Sequence, residues 1–208
     1  MVRLSSEYCR QAASYGSLPT APPDQPSPDS VKITESLVLL EFVADLYPEA
    51  NLLPKDPVLR AKARFFIDCV TTKFVPVYMG YIISGKDSQA DVIKLFKEFQ
   101  DLLHETGYAV GEWSLADAAI APFFARMFLA MENDLGMYAV GEGPKTLEIL
   151  RTSSELQRIQ KYVQDVTSRQ SFIETFSPSV ALDGWVRFFK LVATGPRASP
   201  NFVPVKVV

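Results

Sequence analysis

The stretch Trp113-Ser114-Leu115-Ala116-Asp117-Ala118-Ala119-Ile120-Ala121-Pro122-Phe123 decides the fold, because it writes a helix start into an apolar segment. Ser114 and Asp117 stand at the spacing of a capping box. The Ser114 hydroxyl accepts from the Asp117 N–H and the Asp117 carboxylate accepts from the Ser114 N–H, so two donors orphaned at the helix N-terminus are satisfied together. Trp113, one residue before the cap, is placed to staple onto Ala118. From Ala118 to Leu129 nearly every residue is apolar or small, the composition of a helix enclosed by other helices. The segment reads as a buried central helix. By itself the box acts on folding and carries no chemistry.

Further helices flank it. Pro57, with Asp56 as N-cap, opens a long one whose Leu59, Ala63, Phe66, Val70 and Phe74 follow a single stripe. Pro76 should kink it, since proline removes a hydrogen bond and clashes with the carbonyl four residues back. A second helix is expected from about Ser88 to His104, with Val92, Leu95, Phe96, Phe99, Leu102 and Leu103 inward and Lys94, Lys97, Glu98 and Asp101 outward. After the central helix come Lys145 to Leu150, then Ser153 to Ser168 with Leu156, Ile159, Val163 and Val166 on one face, then a short Gln170 to Phe176 segment. No strand alternation interrupts them. Short loops between long helices favour antiparallel neighbours, so residues 57 to 176 should form a bundle around the central helix. In the tail, Trp185 to Leu191 allows one or two amphipathic turns, and Gly195-Pro196 and Pro200 break the residues beyond them. It reads as a packing appendix with loosely held last residues, because Arg187 and Lys190 are too few cations for a membrane-surface helix.

Toward the N-terminus the pattern changes. Residues 16 to 31 carry Pro19, Pro22, Pro23, Pro26 and Pro28, which describes an extended loop. Val31-Lys32-Ile33 is a short strand candidate. Thr34 or Glu35 then opens a helix through Leu46 with Leu37, Leu40, Phe42 and Val43 on its apolar face, and Pro48 ends it. The punctuation in Asn51-Leu52-Leu53-Pro54-Lys55-Asp56-Pro57 sets the domain boundary, giving units over 1–50 and 51–208 with a divergent tail from about 177.

Composition narrows the function. Among 208 residues, 21 Lys and Arg against 24 Asp and Glu leave a net charge of -3, which argues against a nucleic-acid binder and a polybasic membrane anchor. No uniform apolar run reaches the roughly 18 residues of a transmembrane helix, and Met1 to Glu7 is too polar for a signal peptide. A soluble cytoplasmic protein is the expectation. Cys9 and Cys69 have neither CxxC nor metal-like spacing, so no disulfide framework or zinc site is indicated. His104, the sole histidine, reads as a helix C-terminal residue complementing the dipole rather than as a catalytic base.

Two regions taken together resemble a known family: Ile33-Thr34-Glu35-Ser36-Leu37-Val38-Leu39-Leu40-Glu41-Phe42 far upstream, and Gly107 to Glu112 leading into the capped helix. In that order they resemble the glutathione transferases, most closely their omega-like fungal branch. Tyr47-Pro48-Glu49-Ala50, Leu53 to Pro57, Arg60 to Asp68 and Gly141 to Lys145 carry the likeness, which spans roughly Pro28 to Phe176. The resemblance implies a mainly α fold: a helical bundle of the glutathione transferase C-terminal type, with a remnant of the thioredoxin-like α/β N-terminal domain. It implies glutathione as co-substrate, conjugation or thiol transfer on small hydrophobic electrophiles, a role in detoxification, and a homodimer. It also implies that Glu35 and Ser36, with Ile33 beside them, grip the γ-glutamyl end, and that Tyr78, Tyr81 and Phe128 wall the electrophile. The local physics agrees: a helix N-terminus suits a carboxylate, Ser36 adds a donor, and Glu35 suits an ammonium group.

The catalytic residue is unknown. The family's first half needs a βαβ unit of roughly 30 or more residues, yet 34 residues precede Glu35 and about half are proline-rich. Omega-like members place a Cys-Pro-aromatic motif there, whereas Tyr8-Cys9-Arg10-Gln11 lacks the proline, and Gln11 to Gly16 lacks the family's cis-proline. Cys69 reads as a small buried hydrophobe. A truncated thioredoxin-like half with impaired chemistry is therefore expected, the alternative being a non-catalytic helical scaffold or hydrophobic-ligand binder.

Overall fold

The computed structural model describes residues 34–194 and divides after Leu53 into two compact units. In the first, α1 spans Ser36–Leu46 and a 3-10 turn comes next over Pro48–Ala50. Proline ends α1 as the sequence implies, and Asn51 reverses the chain in the left-handed conformation, its side chain donating to the Glu49 carbonyl at 3.0 Å. Only Ala44 of α1 is fully buried; Leu37, Leu40 and Phe42 are half-buried and Val43 is exposed. The strand expected at Val31-Lys32-Ile33 lies outside the described residues.

The second unit is a helical bundle. Its first member runs unbroken from Pro57 to Ser84: α2 (Pro57–Cys69), a π-helical turn (Val70–Phe74), α3 (Val75–Met79), and a second π-helical turn (Gly80–Ser84). Asp56 caps it by accepting from the Leu59 N–H at 2.8 Å. The disturbance expected at Pro76 thus takes the form of two π turns. Because Pro76 has no N–H to give, the wider spacing ahead of it, where the Val75 N–H reaches back to the Val70 carbonyl, absorbs the missing bond. Among the described helices this one is long and apolar enough by composition to cross a bilayer. Its Phe66, Val70 and Phe74 are nevertheless consumed by the bundle core.

Next come α4 (Gln89–Leu102), α5 (Leu115–Glu132), α6 (Glu142–Thr152), α7 (Gln157–Thr167), α8 (Gln170–Thr175) and α9 (Pro178–Thr194). Ser88 and Asp91 form a second capping box, at the start of α4. That helix stops two residues short of His104, because Leu103 is already extended at φ -73, ψ 144. His104 is therefore a loop residue and not a dipole partner; its Nδ1 lies 2.9 Å from the Thr106 carbonyl. Within that loop the described residues show isolated bridges, Tyr108 to Gly111 and Val110 to Glu112, and no strand.

The core gathers on α5. Its Leu115, Ala116, Ile120, Ala121, Phe124, Met127 and Met131 are fully buried. The Phe74 ring meets Phe124 edge-on at 5.1 Å and Phe99 at 5.3 Å, so α4 and the long helix close on the central one through aromatic edges. Helix α6 is longer than expected, since Gly143 and Pro144 sit in its first turn, where the backbone N–H of residue 144 would have no helical partner. The tail needs correction too: α9 has 17 residues rather than one or two turns. Trp185 anchors it by donating to the Arg126 carbonyl at 3.2 Å, and Phe189 is buried. Residues 195–208 lie outside the described residues.

Candidate functional site

The N-terminus of α1 is where the sequence places its ligand-gripping pair. Glu35 precedes the helix at φ 72, ψ 115, a region that residues with a Cβ seldom occupy. The first helical bond runs from the Leu39 N–H to the Glu35 carbonyl at 3.0 Å, and no side chain caps the turn. The N–H groups of Ser36, Leu37 and Val38 are thus left over by helix geometry, with the positive end of the dipole behind them. Glu35 and Ser36 are both exposed. The arrangement offers backbone donors and a hydroxyl beside one carboxylate, which fits a ligand end carrying both a carboxylate and an ammonium group. Ile33 lies outside the described residues.

The three aromatics proposed for an electrophile wall stand apart. Tyr78 is 4% exposed and packs against Phe123 and Trp185 at 6.0 and 6.3 Å. Tyr81 is fully buried, its hydroxyl 2.7 Å from Thr146 Oγ1 and its ring stacked on Tyr138 at 4.7 Å. Phe128 stacks on Phe96 at 6.0 Å and lines a groove beside α7. They do not form one wall. Burial holds both tyrosine hydroxyls protonated, raising Tyr78 and Tyr81 far above the phenolic range.

At the N-terminus of α5 the same backbone problem is solved inwardly. Asp117 is fully buried and accepts from the Ser114 N–H at 2.8 Å, the Ala109 N–H at 2.8 Å and the Tyr162 hydroxyl at 2.8 Å. Burial raises its pKa, and the hydrogen bonds from Ala109, Tyr162 and Ser114 offset part of that rise. Trp113 spends its ring on Tyr108, edge-on at 5.3 Å, and on the Arg169 guanidinium 4.0 Å above it. Tyr162 was legible as one more member of the Ile159, Val163, Val166 stripe, but its hydroxyl partner on another helix was not.

Solved structures show a bundle of this kind. Glutathione transferase Omega 1C from Trametes versicolor matches with a TM-score of 0.79 and 43% sequence identity, over 83% of this chain and 72% of that one. The chain belongs to the glutathione transferase family. Glutathione transferase Omega 2S from the same organism, in complex with 2,4-dihydroxybenzophenone, matches with a TM-score of 0.74 and 42% identity over 80% of this chain and 72% of that one. By sequence, glutathione S-transferase U19 of Arabidopsis thaliana is 24% identical over 147 residues, 68% of this chain and 67% of that protein. No family model matches.

For a glutathione transferase, the thiol is the chemistry to look for. Among the described residues the one cysteine, Cys69, is 2% exposed, and burial raises its pKa, so it is a packing residue and not a nucleophile. Cys9 lies outside the described residues. The described residues hold no group of three metal-binding side chains.

Proposed function

We propose that the chain binds glutathione through Glu35 and Ser36, with Ile33 beside them, and belongs to a cytoplasmic homodimer that joins glutathione to small hydrophobic electrophiles or exchanges its thiol. The strained, uncapped start of α1 carries the reading. A glutamate held at φ 72 costs energy that no contact within the described residues explains, and such strain persists where a ligand makes use of it. The γ-glutamyl carboxylate takes the leftover N–H groups and the Ser36 hydroxyl, while the Glu35 carboxylate takes the α-ammonium group.

Glutathione supplies the thiol; in conjugation its proton passes to solvent and the sulfur forms a carbon–sulfur bond at the electrophilic carbon, while either the leaving group departs with its electron pair or a double bond opens and its far atom takes up a proton from solvent. The chain's own residues at α1 orient the peptide and contribute no proton transfer. Of the three aromatics, Phe128 is the one that lines an open groove, while Tyr78 is packed between Phe123 and Trp185 and Tyr81 is committed to Thr146. The complex of the omega 2S relative with 2,4-dihydroxybenzophenone supports aromatic molecules as the ligand class.

The second reading is a non-catalytic helical scaffold or hydrophobic-ligand binder of the same fold, supported by the helical bundle's standing as a compact unit with its own core. Isothermal titration with glutathione separates the two when paired with a turnover assay on an aromatic electrophile. Binding at millimolar affinity or tighter, lost in Ser36→Ala, together with turnover supports the transferase. Binding without turnover favours the binder, and no heat with either protein removes the glutathione site.

A further inference from the structure

We propose that the corner formed by Tyr108, Trp113 and Arg169, with Ile173 beside it, docks an extended acidic segment of a partner protein. Arg169 lies over the Trp113 ring, its Cζ 4.0 Å from the centroid, and stands 5.8 Å from the centre of the Tyr108 ring. The two rings meet edge-on at 5.3 Å and 83°. A guanidinium lodged in that angle is held through its flat face by the ring quadrupoles. It therefore meets a ligand already ordered, with little side-chain freedom left to lose.

What the corner lacks is an acid. Among the described residues Arg169 donates no hydrogen bond and forms no ion pair, and its Nε is enclosed without an acceptor. Fastening α8 to the start of α5 uses only the face of the guanidinium, so the two terminal nitrogens, which are not enclosed, stay unspent. Arg158, which grips the same loop, donates to the carbonyls of His104 and Gly107 at 2.8 Å each and likewise answers no carboxylate. The loop's own acids, Glu105 and Glu112, are exposed and form no ion pair with either arginine among the described residues. A planar donor pair already stacked on a ring is the arrangement that takes a carboxylate through two parallel hydrogen bonds.

The surroundings suit a polypeptide better than a free small acid. Tryptophan, tyrosine and arginine are the residues that carry binding energy at protein interfaces. Ile173 is 58% exposed one helical turn beyond Arg169, its N–H bonded to the Arg169 carbonyl at 3.0 Å. An extended segment sets every second side chain on one side roughly 7 Å apart, close to the roughly 6 Å rise of four helical residues. A carboxylate on Arg169 thus brings an apolar side chain two residues further on to Ile173, whereas a small acid leaves that surface in water. The site lies wholly on the helical bundle and does not rest on the glutathione reading.

The indole N–H resonances of Trp113 and Trp185 in the full chain report on it, followed while a capped peptide of glutamate, leucine and glutamate, spaced by single serines, is added. The Trp113 signal should move progressively while that of Trp185 stays, and the affinity should fall at high salt. Replacing the glutamates by glutamines should weaken binding roughly tenfold, and Arg169→Met, which keeps an unbranched stem on the ring and removes the charge, should do the same. Ile173→Ser should weaken it about threefold. An unmoved Trp185 signal shows that each variant is folded. A Trp113 signal that the peptide leaves in place, equal affinity for the glutamine peptide, full affinity in Arg169→Met, or an equal shift on adding succinate would overturn the proposal, the last by showing a site for small acids only.

Discussion

Helices α1 and α5 begin with the same deficit and resolve it in opposite ways. At α5 the orphan donors are turned inward: Ser114 and Asp117 answer each other, and Asp117 also ties down Ala109 and Tyr162. At α1 no side chain caps the turn, Glu35 is held in a costly conformation, and both Glu35 and Ser36 face solvent. One terminus uses its electrostatics to hold the bundle together. The other keeps them available.

If that contrast is right, the two termini should respond differently to substitution. The largest effect belongs to Asp117→Ala, which removes the cap and leaves Ala109 N–H and Tyr162 O–H buried without their acceptor. About 3 kcal/mol of stability should be lost, read as a lower midpoint in urea unfolding. Tyr162→Phe removes one donor and leaves the carboxylate partly satisfied, so a loss of about 1–2 kcal/mol is expected in the same experiment. Losses in the reverse order would mean that the tyrosine, not the box, fixes the carboxylate.

The pH dependence sharpens the inward half of the contrast. A carboxyl whose pKa is raised by folding binds its proton more readily in the native state, so this group opposes folding at neutral pH and its penalty fades as pH falls through the raised native pKa toward the ordinary value near 3.8. Relative to Asp117→Asn, the parent should therefore gain stability on mild acidification. A parent that loses ground to the variant instead would show that the hydrogen bonds outweigh burial and depress the pKa.

The smallest stability change is expected at α1. Glycine accepts φ 72 without strain but frees the unfolded chain, so Glu35→Gly should move stability by no more than about 1 kcal/mol. Glutathione affinity should still fall at least tenfold in titration. A large loss of stability would place Glu35 among the structural caps and dissolve the distinction.

Local chemistry explains what could be read beforehand. Asp56-Pro57 and Ser114 with Asp117 each announce a helix start through side chains within three residues, and both starts are observed; α4 is placed by its apolar stripe alone, and its Ser88 and Asp91 box emerges only in the structure. Helix α9 was underestimated because Asp183 and Gly184 interrupt its apolar stripe, while its anchor, Trp185 on the Arg126 carbonyl, spans 59 residues. The π turns around Pro76 were hidden because the sequence reports a missing N–H and not how neighbouring turns absorb it. At the proposed site, Glu35 and Ser36 stand side by side in the sequence, but the strain at Glu35 is visible only in backbone angles. Tyr78, Tyr81 and Phe128 look alike in sequence and diverge because different helices meet each of them.

The central claim is that the α1 terminus is built for a ligand and the α5 terminus for the fold. Following backbone amide resonances while glutathione is added tests this at both ends in one experiment. The account predicts progressive shifts for Ser36, Leu37 and Val38 with Ser114 to Asp117 unmoved; unshifted amides at 36–38 up to saturating glutathione would contradict it.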